Sequence, residues 1–89
     1  MLPHGELSLL PNIGPEVERQ LNEAGITTAA ELRALGAENA WLRIQMNDPS
    51  ACIHRLLALD GAIRGVKKTL LPPERKAELK AFYQAHRKG

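Results

Sequence analysis

The stretch "LPNIGPEVERQLNEAGI", residues 10–26, decides how the rest of the chain is read. Pro11 disfavours helix in the residue before it, and Gly14 is expected to let the backbone turn. Pro15 suits the first position of a new helix. Val17, Leu21 and Ala24 recur on one face of that helix at α-helical spacing. Gly25 ends it as the residue beyond the C-cap, which folds Ile26 back onto it.

A turn of the form apolar–Gly–apolar–Gly before a helix can hold a nucleic-acid phosphate. Its backbone N–H groups point outward, and the helix N-terminus adds partial positive charge. Here Asn12 stands where the first glycine would be. Asparagine tolerates left-handed backbone, but its side chain is expected to crowd an approaching phosphate. Glu16 and Glu18 follow in the first helical turn, with Arg19 as the nearby cation. Those carboxylates stabilise the helix start and repel phosphate within the screening length of about 8 Å. Pro11, Asn12, Ile13, Gly14 and Gly25 therefore read as a hairpin turn that packs helices.

Outward from this segment the chain reads as helix and turn. "GELSLLP" predicts a short first helix ending at Leu10. Thr28 and Glu31 form a capping box for a helix through Leu35, with Leu32 and Leu35 inward and Gly36 as its stop. Residues 37–47 predict the next helix, burying Trp41, Ile44 and Leu42. Asp48 is expected to cap a longer helix beginning at Pro49. Cys52, Leu56, Leu59, Ile63 and Val66 would form its stripe, widened by Ile53 and Leu57. So broad a stripe predicts a central helix, and Gly61 and Gly65 offer room for close backbone approach. The last helix starts at Pro73, with Glu74 and the pair Arg87–Lys88 suiting its two ends. Leu79, Phe82, Tyr83 and His86 lie along one side of it. No alternating run predicts a strand. "LLP" occurs at 9–11 and again at 70–72, each before a helix.

With 89 residues the chain suits one domain, spanning 1–89. Trp41, Phe82 and Tyr83 are its aromatics, so Leu, Ile, Val and Ala must fill the core. Cys52 is alone, which excludes an internal disulfide and a zinc ligand set, and it is assigned to the core. His4, His54 and His86 are too scattered to suggest a metal site. Ser50, Cys52 and His54 point to different sides of a helix and make no nucleophile–base pair. No metal, cofactor or catalytic activity is therefore expected. The start lacks a basic signal-peptide region, and no apolar run is long enough to span a bilayer. A cytoplasmic protein follows.

Charge divides along the chain. Residues 1–48 carry three arginines against seven carboxylates, and residues 49–89 carry nine cations against three carboxylates. The cations gather around "RGVKK" and the final helix. If Arg64, Lys67, Lys68, Arg75, Lys76 and Lys80 share a face, they offer a contact for an acidic regulatory protein or for nucleic-acid backbone. A simply solvated face is the alternative. No free aromatic is interleaved with the run, so base stacking is not expected. Trp41 is expected to anchor the core, with an exposed partner groove as its other role.

Several stretches resemble the C-terminal domain of the TfoX (Sxy) family of bacterial proteins. They are Leu10-Pro11-Asn12-Ile13-Gly14, Ala24-Gly25-Ile26-Thr27, Trp41-Leu42 and Asn47-Asp48-Pro49-Ser50-Ala51-Cys52. The likeness runs from about Leu7 to Tyr83. It implies an all-α bundle of helix-hairpin-helix (SAM-like) type and a role in activating competence genes. It carries over no binding residue. Many members join this domain to a preceding N-terminal domain, whereas Met1 here lies nine residues before Leu10, so a stand-alone copy or an excised domain is expected. Together these readings predict a compact bundle of five or six short helices acting as a non-catalytic interaction module in bacterial regulation. The alternative is direct, weakly sequence-selective DNA binding through the basic C-terminal half.

Overall fold

The structure, a computed structural model, describes residues 6–88. A 3-10 turn at Glu6–Leu9 precedes four α-helices: α1 (Pro15–Glu23), α2 (Ala29–Asn47), α3 (Ile53–Arg64) and α4 (Pro73–His86). A second 3-10 turn, Lys68–Leu70, links α3 to α4. The described residues are all helix, turn and loop, with no strand. None of their helices is long and apolar enough to cross a membrane. His4 lies outside the described residues.

Local chemistry sets most boundaries. Pro15 opens α1, and at its far end the Ile26 N–H reaches the Leu21 carbonyl at 2.8 Å while Gly25 takes φ 88°. That is the six-to-one bond of a Schellman stop, and it drops Ile26 into the core. In the α2 capping box the Glu31 N–H donates to Thr28 Oγ1 at 3.1 Å, and the Thr28 N–H donates to Glu31 Oε1 at 3.2 Å. The break expected at Gly36 is a kink (φ 83°, ψ 162°), so the two predicted helices form one bent element.

Some expectations are corrected: in place of five or six helices the described residues form four α-helices and two 3-10 turns. Asn12 takes the left-handed backbone that asparagine tolerates (φ 69°), so the first turn pivots there, while Gly14 is extended at φ −93°. The helix after Asp48 begins at Ile53 rather than Pro49. Asp48 closes α2 and folds a tight turn, its Oδ1 accepting the Ser50 N–H at 3.2 Å and the Ser50 hydroxyl at 2.6 Å. With the carboxylate occupied this way, the chain turns before it coils. Ala51 fills the core position, and Cys52 is exposed rather than buried.

Trp41 is fully buried and lines no surface groove. Its ring meets Phe82 and Tyr83 edge-on, at centroid distances of 6.2 and 5.7 Å. Its indole N–H donates to the Cys52 carbonyl at 3.2 Å, satisfying the one polar atom the ring brings inside. Around it pack Leu21, Ile26, Ile44, Leu56, Leu59 and Leu79. α3 is central, packing against α2, α4 and the second 3-10 turn.

Candidate interaction surface

The hairpin turn faces inward. Asn12 donates from Nδ2 to the Val66 carbonyl at 3.0 Å and to the Ala58 carbonyl at 3.4 Å. Its Oδ1 accepts the Lys68 N–H at 3.1 Å. One carboxamide thus ties the turn to the end of α3 and to the second 3-10 turn. Gly61 makes room for it: a β-carbon there would stand 2.5 Å from Asn12 Nδ2 and 2.7 Å from the Val66 carbonyl oxygen. Ile13 is buried beside it, and Glu18 is buried with its Oε2 accepting the Ser8 N–H at 3.3 Å. Arg19 spans Glu16 and Glu23. The side chain expected to crowd a phosphate therefore points into the protein, and the nearby cation is shared by two carboxylates. Gly25 sits apart, at the end of α1.

The six cations singled out in the sequence divide into two groups. Arg75 is mostly enclosed, at 17% side-chain exposure, and bonds Asp60 at 2.9 Å, Glu38 at 3.0 Å and Glu78 at 3.1 Å. Arg64 bonds the other oxygen of Asp60 at 2.9 Å, and that aspartate is only 4% exposed. Desolvating Asp60 is costly unless it is paired, and the two guanidinium groups supply the pairing. The Arg75 hydrogen bond holds the Glu38 carboxyl below its usual range, and the same carboxylates raise the Arg75 guanidinium further. Arg75 ties α2, α3 and α4 together, Arg64 braces Asp60 within α3, and both arginines already share their charge with carboxylates.

The four lysines behave differently. Lys67 and Lys80 are exposed, and Lys68 and Lys76 are half-exposed. Among the described residues no carboxylate lies within ion-pair distance of any of them. Lys76 Nζ donates to the Thr69 carbonyl at 3.1 Å, which brings the start of α4 against the second 3-10 turn. Lys80 follows Lys76 one helical turn later on the same side. Leu70, which no sequence pattern singles out, lies in this group at 68% exposure, whereas its neighbour Leu71 is buried. The one available signal is its place in a Lys-Lys-Thr-Leu connection that runs through Leu71 into two prolines.

A family model of the TfoX C-terminal domain matches residues 3–83. The chain belongs to that family. Protein Sxy of Escherichia coli K12 is 39% identical over 70 residues, which are 79% of this chain and 34% of Sxy. The chain thus spans about a third of that relative's length. A triclinic crystal structure of an uncharacterised Listeria monocytogenes protein superposes with a TM-score of 0.88 at 47% identity, covering 89% of this chain and 90% of that one. A tetragonal form of a Listeria monocytogenes protein of unknown function gives 0.86 at 46% identity, covering 88% and 96%.

Proposed function

We propose that this domain is a non-catalytic interaction module of bacterial regulation, allied to competence control, with the helix-hairpin-helix (SAM-like) arrangement of its family. It works in the cytoplasm and takes an acidic protein surface on the lysine rim of Lys67, Lys68, Lys76 and Lys80. The observation that carries this reading is the division of the cations: Arg64 and Arg75 are paired with carboxylates of the protein itself, while no described carboxylate pairs with the lysines. Family membership supports the regulatory setting. The inward grip of Asn12 removes the hairpin from competition for phosphate.

Fluorescence anisotropy with a labelled DNA duplex tests it. The expected outcome is no saturable binding at low salt. Saturable binding that weakens steeply with salt and disappears in Lys67→Ala/Lys68→Ala/Lys76→Ala would replace the protein partner with nucleic acid.

A further inference from the structure

A single exposed leucine is ordinary on a protein surface. Leu70 differs because of how its loop is held. Three independent contacts fix the connection between α3 and α4. The Asn12 carboxamide holds the Lys68 N–H from below, Leu71 is buried in the core, and Lys76 Nζ holds the Thr69 carbonyl from α4. Within the turn the Leu70 N–H closes back onto the Lys67 carbonyl at 2.8 Å. Pro72 and Pro73 follow at once and restrict the backbone further. A loop held this way presents its side chains with little conformational entropy left to lose on binding. The side chain presented is apolar, and the nearby lysines Lys67, Lys68 and Lys76 outnumber the one exposed carboxylate at the start of α4, Glu74.

We infer that Leu70 is the anchor of a docking site for an acidic protein segment that carries an apolar side chain. This rests on the proposed role of the lysine rim and names the partner's chemistry. The segment's carboxylates pair with Lys67, Lys68 and Lys76, and its apolar side chain covers Leu70. Charge complementarity selects the acidic segment and steers its approach. Covering the leucine removes water from the centre of the contact, where binding energy concentrates. Nucleic-acid backbone satisfies the lysines and leaves Leu70 wet.

The test places a photo-reactive amino acid at exposed Thr69 in the full chain, in the bacterium that carries it, with exposed Ala30 as control position. Adducts are identified by mass spectrometry. The expected adducts join acidic protein segments at or beside an apolar residue. Their yield falls about tenfold in Leu70→Ser and Leu70→Gln, and comparably in Lys67→Glu/Lys68→Glu. Thermal midpoints of these variants should stay within about 2 °C of the parent, which separates lost docking from lost folding. Acidic adducts that depend on the lysines and ignore both Leu70 variants overturn the anchor while leaving the rim's role standing. Adducts on nucleic acid alone overturn both. Neutral or basic segments, or no adduct above the Ala30 control, also overturn the inference.

Discussion

Two loops of this protein share the letters Leu-Leu-Pro. Residues 9–11 lead into α1, and residues 70–72 lead into α4. In both, the first leucine is exposed and a proline opens the next helix. After that they part. The first loop inserts a left-handed Asn12 and turns its polar side chain into the molecule. The second goes straight through Pro72 into α4 and keeps its lysines in solvent. They also touch, because Asn12 Oδ1 holds the Lys68 amide. One loop positions and the other is positioned. What separates them is where each polar group finds its partner, not the motif they share.

The most damaging way to break this pairing is Gly61→Ala. The new methyl would sit against the Asn12 amide and the Val66 carbonyl, one of which is fixed backbone. A cost of about 3 kcal/mol is expected, at the upper end for overpacking. Urea denaturation would measure it, and the midpoint should drop without a change in slope. An unchanged midpoint would mean the two loops are not pressed together.

Arg75→Ala asks whether the paired arginine belongs to the interior rather than the rim. It leaves nearly buried Asp60 with Arg64 as its remaining cation. About 2–3 kcal/mol should be lost, somewhat under the usual cost of halving a buried pair. If Arg75 served a partner instead, the variant would keep its stability.

Acid sharpens the same point. Glu38 has its folded-state pKa lowered by the Arg75 hydrogen bond. Its contribution is therefore complete above the ordinary carboxylate value of 4.5 and fades as pH falls through the lower folded-state value. Glu38→Gln should lose stability at neutral pH and show a flatter acid limb than the parent. Equal acid limbs would remove Glu38 from the network.

The smallest effect is expected on the outward loop. Lys67→Ala/Lys68→Ala should change stability by less than about 0.5 kcal/mol, since no described carboxylate pairs with either. A larger loss would show that the lysines hold the fold.

Much of the frame was legible from the sequence because its signals are local. Thr28 and Glu31 lie three residues apart, and Gly25 and Ile26 act on the helix they end. Trp41 is the largest apolar side chain in a small chain, which left the core as its place. Asp48 misled because one carboxylate can cap a helix or close a turn onto Ser50, and those two residues look alike in either use. Cys52 then moved from the core to the surface as a consequence. The candidate surface was only half legible. Arg75 meets Asp60 from 15 residues away and Glu38 from 37, a distance no local pattern reports. Leu70 is not legible because a leucine beside a leucine looks like core, and only packing shows which of the two turns out.

Everything in this comparison depends on the hairpin turn gripping the lysine-bearing loop through Asn12. Amide hydrogen exchange at Lys68 reads that contact directly, in the parent and in Asn12→Gly, which keeps the left-handed backbone and deletes the carboxamide. A protected Lys68 amide is expected in the parent, with exchange at least about tenfold faster in the variant, beyond any global loss of stability. Equal exchange in the two proteins, or a Lys68 amide unprotected from the start, would contradict it.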